Sequence, residues 1–97
     1  MRIGVYGRSF DDSFIPNIQE LFDTLSSFGW GLSVYEPFQS YLSPRVEIAN
    51  IDSVFNKHED IKDSVDVLIC IGGDGTFLET INILRDSGIP ILGVNTG

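Results

Sequence analysis

The stretch Val67-Leu68-Ile69-Cys70-Ile71-Gly72-Gly73-Asp74-Gly75-Thr76-Phe77 decides the fold. Residues 67 to 71 form an unbroken apolar run, the pattern of a strand buried on both faces. Gly72, Gly73 and Gly75 then permit backbone angles that a Cβ would forbid, so a tight turn is expected there. Beyond the turn, Phe77, Leu78, Ile81, Leu84 and Arg85 recur at helical spacing until Gly88, and Pro90 blocks any extension. The stretch therefore reads as strand, turn, helix. It sets Asp74 at the carboxyl end of a strand, the edge where open parallel sheets bind ligands and where a helix start offers unpaired N–H groups to an anion.

Working outward, residues 2 to 7 read as a first strand that ends at Gly7-Arg8-Ser9. Asp11, Asp12 and Ser13 are helix-capping types, and Phe14, Ile18, Leu21, Phe22, Leu25 and Phe28 follow helical spacing. Pro16 fits in the first turn, and Gly29 is placed to end the helix. Residues 32 to 35 form a second strand, stopped by Glu36-Pro37. Residues 38 to 57 have no clear period; Leu42, Val46, Ile48, Ile51, Val54 and Phe55 suit broken helices or a loop over the sheet edge, and Pro44 argues against one continuous helix. Residues 57 to 66 read as a solvated acidic approach to the central strand, with the lone His58 given no role. Residues 91 to 94 read as a closing buried strand leading into Asn95-Thr96-Gly97. Strands alternating with helices predict an α/β fold, a three-layer α/β/α parallel sheet of Rossmann-like type.

With 97 residues the chain suits one small domain, short for a complete metabolic enzyme, and an end inside a strand-and-loop pattern suggests a longer protein. A net charge of −8 argues against a nucleic-acid groove or an anionic membrane surface, since few cations are available to neutralise a phosphate lattice. It does not exclude one bound nucleotide, because screening confines exposed charges to about 8 Å. The single cysteine, Cys70, allows no internal disulfide and fits a reducing, cytoplasmic compartment, in keeping with the lack of a signal-like or membrane-spanning run.

Three phosphate-loop chemistries compete for residues 72 to 77. A Walker loop needs a Gly-Lys-Ser/Thr ending, and the stretch has no lysine. A dinucleotide fingerprint needs a third glycine where Leu78 stands. There remains a double glycine that admits phosphates, a carboxylate in the same space and a Thr76 hydroxyl able to cap the helix. These are parts of a phosphoryl-transfer site, in which the carboxylate orients or deprotonates the attacking hydroxyl. A plain turn with Asp74 as the helix cap is the alternative.

The segment 71 to 78, Ile-Gly-Gly-Asp-Gly-Thr-Phe-Leu, followed after one helix by Ile89-Pro90-Ile91-Leu92-Gly93-Val94-Asn95-Thr96-Gly97, resembles the amino-terminal domain of bacterial NAD kinases. The Gly-Gly-Asp-Gly core is shared with phosphofructokinases and with diacylglycerol and sphingosine kinases; the second segment favours NAD kinase. The resemblance implies an ATP-dependent kinase that phosphorylates the 2′-hydroxyl of the adenosine ribose of NAD to give NADP. A divalent metal, with magnesium the expected ion, belongs to that implied reaction. It implies Asp74 as the catalytic proton acceptor, and Gly72, Gly73, Asp74, Gly75, Glu79 and Asn95 as residues at the nucleotides, with no metal ligand assigned. Glu79 is equally readable as a first-turn glutamate favoured by the helix dipole, and Asn95 as a loop cap. Arg8, at the end of the first strand, could reach the ATP phosphates from an adjacent loop. The resemblance also implies a second, β-rich domain beyond residue 97 that completes the dinucleotide pocket and carries homo-oligomer contacts, so the 97-residue chain alone is expected to be inactive. A lipid kinase of the same superfamily, or a nucleotide-binding module without transfer, are the rival readings.

Overall fold

The structure, a computed structural model, describes residues 1–84 and 86–97 and, for His58, the backbone only. The place given to Arg85 in the helical run lies outside the described residues. Five parallel strands form one sheet: β1 (Arg2–Gly7), β2 (Gly31–Tyr35), β3 (Ile51–Phe55), β4 (Val67–Gly72) and β5 (Ile91–Asn95). Their order across the sheet is β3-β2-β1-β4-β5. The chain thus runs outward from β1 in one direction, then returns to the other side of β1 and runs outward again. The reversal falls between β1 and β4, which pair from Ile3 with Val67 to Gly7 with Ile71. A crevice at such a reversal, beyond the strands' carboxyl ends, is where open α/β sheets bind ligands.

Helices α1 (Ile15–Ser27) and α2 (Glu36–Leu42) cover one face, and α3 (Asp74–Leu84) covers the other. On the first face Ile18, Phe22 and Leu25 of α1 and Phe38 and Leu42 of α2 pack against Ile3, Val5, Leu32, Val34, Ile69 and Ile71. Each such buried side chain contributes about 1.5–3 kcal/mol, so this face holds most of the apolar stabilisation. The second core is smaller: Tyr6, Leu68 and Cys70 meet Phe55, Ile61, Val65 and Leu84. The expected three-layer α/β/α sheet is the observed architecture.

Local signals near the first helix act as expected. Asp11 accepts from the Ser13 amide at 3.0 Å in a single 3-10 turn before α1, Pro16 lies in the first turn of α1, and Gly29 takes φ +70° just past its end. Four expectations change. Glu36-Pro37 ends β2, but it also opens α2, where proline's fixed φ suits a first turn and its missing N–H costs nothing. The unreadable segment holds α2 and then an edge strand, β3. A register shift beside Leu32 and Ser33 interrupts the alternation of β3, so that Ile51 packs with the first core and Phe55 with the second, and Asp52 reaches the Arg2 guanidinium at 3.1 Å. Residues 57 to 66 are not wholly solvated, because Ile61 and Val65 anchor them in the second core. The closing strand β5 is a sheet edge with Leu92 57% exposed, so it is not buried on both faces.

Candidate functional site at the carboxyl edge

The turn between β4 and α3 is a single residue, Gly73. A Cβ on Gly72 would lie 2.8 Å from Thr76 Cβ, and one on Gly73 would lie 2.8 Å from the Gly97 carbonyl oxygen. Both glycines are required by close approach within the chain. Gly75 differs: nothing lies within 4 Å of where its Cβ would be. Glycine is a poorer helix former than alanine, and among the described residues no neighbour explains its presence here. The sequence expectation that all three glycines serve the turn therefore holds for two of them. The third leaves open space beside Asp74.

The Phe77 amide makes the first helical bond, to the Gly73 carbonyl at 3.1 Å. The amides of Asp74, Gly75 and Thr76 precede it and are the orphan donors of a helix start. Thr76, expected as a cap, packs its side chain over Gly72. The loop after β5 is tied to the same turn, since the Thr96 amide donates to the Gly72 carbonyl at 3.0 Å. Asn95 Oδ1 accepts from the Gly97 amide at 2.9 Å, so Asn95 does cap its loop. These elements enclose a cavity of about 120 Å³ lined by Cys70, Gly72, Gly73, Asp74, Gly93 and Asn95, with Phe77 and Val94 at its apolar side. Asp74 is exposed, and among the described residues its carboxylate has no hydrogen-bond or ion-pair partner. A plain helix cap would have spent that carboxylate on a backbone amide.

Glu79 is not in this cavity. It follows Asp74 by five positions, which turns it about 140° around the helix axis at 100° per residue. It lies in the second turn of α3, so the first-turn reading is corrected, and it points toward β1. There Glu79 Oε1 accepts from Arg8 Nη2 at 2.6 Å and from the Tyr6 hydroxyl. Hydrogen bonds from Tyr6 and then Arg8 hold the Glu79 carboxyl below the usual glutamate range. Burial, reinforced by Glu79, pushes the Tyr6 hydroxyl well above the usual tyrosine value. Arg8 is raised by the same carboxylate. Tyr6 is the member of this cluster that sequence reasoning missed. Its signal was weak: a tyrosine two residues before Arg8, on the face of β1 that meets α3.

Cys70 is buried and free, and burial raises its thiol. Its sulfur lies 3.3 Å from the Thr80 hydroxyl, which also donates to the Thr76 carbonyl at 2.8 Å. These contacts fit its place in the apolar run of the central strand. The carboxyl edge thus gathers Gly72, Gly73, Asp74 and Asn95 at one cavity, with Gly75 open beside it, and sets Glu79 with Tyr6 and Arg8 on the side of β1.

A doubly wound parallel sheet with a free carboxylate at a glycine-lined crevice beside its reversal point defines the class: an open α/β domain of the kind that holds nucleotides at its carboxyl edge. Comparison with known proteins gives the particular family. A family model described as the ATP-NAD kinase N-terminal domain matches residues 12–97, and the chain belongs to that family. An NAD kinase of Flavobacterium psychrophilum is 40% identical over 97 residues, covering 100% of this chain and 33% of that protein. One of Christiangramia forsetii is 34% identical over the same span. The chain therefore spans about a third of the length of the curated relatives it matches. The crystal structure of a yeast NADH kinase complexed with NADH shares the fold, with a TM-score of 0.73, 19% identity and coverage of 100% of this chain and 31% of that one.

Proposed function

We propose that the chain is the nucleotide-binding part of an enzyme that transfers the γ-phosphoryl group of ATP to the 2′-hydroxyl of the adenosine ribose of NAD, giving NADP and ADP. The observation that carries this reading is the unpartnered Asp74 carboxylate beside orphan amide donors and the open side of Gly75. In the reaction the ribose 2′-oxygen attacks the γ-phosphorus, and the bond from that phosphorus to the β,γ-bridging oxygen breaks. ADP leaves with the electron pair, and the hydroxyl proton passes to Asp74. Charge-assisted hydrogen bonding to Asp74 orients the attacking oxygen before transfer, which is much of what catalysis of phosphoryl transfer requires. Orphan amides at the start of α3 suit the anionic phosphates.

Among the described residues no group of three or more His, Cys, Asp or Glu is gathered. A divalent ion such as magnesium would then be carried mainly by substrate phosphates and water, with Asp74 as a carboxylate lining the cavity. Such an ion would neutralise charge on the phosphates. Asn95 and Gly75 are read as flanking the dinucleotide. The completing β-rich domain, the homo-oligomer and a cytoplasmic location belong to the same proposal. No described helix is long and apolar enough to cross a membrane.

The test is NADP formation by the whole protein from NAD and ATP, beside the 97-residue chain alone. We expect product from the former and none above background from the latter. ATP or NAD binding by the whole protein without any product would replace this reading with that of a binding module.

A further inference from the structure

Arg8 stands one residue past β1 and is fixed at both ends. Its amide donates to the Ile71 carbonyl at 3.2 Å, carrying the pairing of β1 with β4 beyond the strand and seating Arg8 next to the Gly72-Gly73 turn. Its Nη2 is held by Glu79 at 2.6 Å, and the Tyr6 hydroxyl anchors the same carboxylate oxygen from the sheet. Among the described residues the remaining guanidinium donors have no partner, and the side chain is 56% exposed. An exposed ion pair of this kind adds little to stability, so folding alone gives a weak reason for clamping an arginine there.

Arg8 also borders a cavity of about 220 Å³ at the carboxyl ends of β1 and β2, bounded with it by Gly7, Ser9, Tyr35, Phe38 and Tyr41. Among the described residues no acidic side chain lines it. In a chain of net charge −8, a fixed guanidinium bordering a cavity with no carboxylate among its described lining residues, at the carboxyl edge of the sheet, is suited to an anion. In-line transfer places the attacking and leaving oxygens on opposite sides of the phosphorus. Asp74 serves the attacking hydroxyl from the side of β4 and β5, which leaves the leaving group to the side of β1.

We infer that Arg8 binds the phosphate chain of the phosphoryl donor, and that Glu79 is a positioning residue that acts through Arg8. The assignment of donor to that side rests on the proposed NAD-phosphorylating reading. The anchor order is then Tyr6, Glu79, Arg8, phosphate: a buried hydroxyl fixes a carboxylate, the carboxylate fixes one edge of a planar cation, and the opposite edge stays free for a bidentate contact.

The experiment is calorimetric titration of the whole protein with ATP, with inorganic tripolyphosphate and with NAD, together with KM for ATP and NAD. Arg8→Ala is expected to weaken ATP and tripolyphosphate alike by about 10- to 100-fold, as for a lost charge-assisted contact, with NAD affinity within about twofold of wild type. Arg8→Lys should recover part of the loss, having the charge without the fork. Glu79→Ala should weaken ATP by about threefold to tenfold, the cost of ordering a freed long side chain, and Glu79→Gln by less because it keeps an oxygen for Arg8. In the Arg8→Ala background Glu79→Ala should add nothing. Wild-type ATP affinity in Arg8→Ala, a loss for ATP but not tripolyphosphate, or an equal loss for NAD would overturn the role of Arg8. Additive effects of the two substitutions would overturn the role of Glu79. A protein that binds ATP through Arg8 yet makes no NADP would refute the reaction and not this assignment.

Discussion

Two strand-to-helix junctions stand side by side at the carboxyl edge, and they are built in opposite ways. Between β1 and α1 the chain takes a leisurely path with its own 3-10 turn. Asp11 is used up on the Ser13 amide, and Phe10 exchanges backbone bonds with the Tyr41 hydroxyl at 3.1 and 2.9 Å. Between β4 and α3 the chain turns on Gly73 alone, and Asp74 is bound to nothing in the described chain. Both junctions carry an aspartate beside a helix start, so residue type does not separate them. What separates them is satisfaction: the first aspartate completes the fold, whereas the second is held in place with its bonding capacity unspent. A carboxylate kept free at a rigid turn is the more informative one.

Breaking the rigid turn gives the largest expected change in stability. Gly72→Ala or Gly73→Ala must displace Thr76 or the Gly97 carbonyl, and each should cost about 1–3 kcal/mol of overpacking, read from chemical denaturation. If either is tolerated without loss, the turn is looser than the close approaches imply.

Gly75→Ala sharpens the contrast within the same motif. Its Cβ meets nothing among the described residues, so stability should hold or rise by up to about 1 kcal/mol. Dinucleotide binding by the whole protein should nonetheless fall by about tenfold, or 1.4 kcal/mol. Unchanged binding would mean that the open space beside Asp74 is not used.

A smaller effect separates the carboxylate that is tied to β1. The Glu79 carboxyl is held below its ordinary value by Tyr6 and Arg8. Its stabilising contribution is therefore present above the ordinary glutamate value of 4.5 and is lost as the pH falls through the lowered folded value. Melting temperatures measured from neutral pH down into that acid range should fall more steeply for wild type than for Glu79→Gln. Parallel curves would show that the cluster contributes nothing to folding.

The smallest effect belongs to the satisfied junction. The Asp11 carboxyl is also lowered, by the Ser13 hydrogen bonds, but it is fully exposed. Asp11→Ala should lower the melting temperature slightly and leave nucleotide binding unchanged. A loss of nucleotide affinity would erase the distinction between the two aspartates.

Much of this arrangement is legible in the residues. The apolar run from Val67 to Ile71 and the glycines after it identify the central strand and its turn because burial on both faces leaves no polar alternation to confuse the period. Strand β3 escapes notice for the converse reason. As an edge strand it leaves Asp52, Ser53 and Val54 exposed in the middle, and a register shift interrupts its alternation. Helix α2 is hidden because Pro37 reads as a stop and is, at a first turn, a start. The site divides in the same manner. Asp74 and Asn95 follow from short-range pattern, whereas the clasp of Tyr6, Arg8 and Glu79 joins residues 73 and 71 positions apart. Only the pairing of β1 with β4 brings those partners together, and the 140° turn of α3 between Asp74 and Glu79 decides which side each serves.

The most direct measurement is steady-state NADP formation by the whole protein carrying Asp74→Asn beside Asp11→Asn, with melting curves for both. With Asp74 as the free carboxylate that orients and deprotonates the ribose hydroxyl, Asp74→Asn should lower turnover by about 100- to 10,000-fold with an unchanged melting temperature, and Asp11→Asn should turn over normally. Near-normal turnover by a well-folded Asp74→Asn protein would contradict the role assigned to the β4 turn.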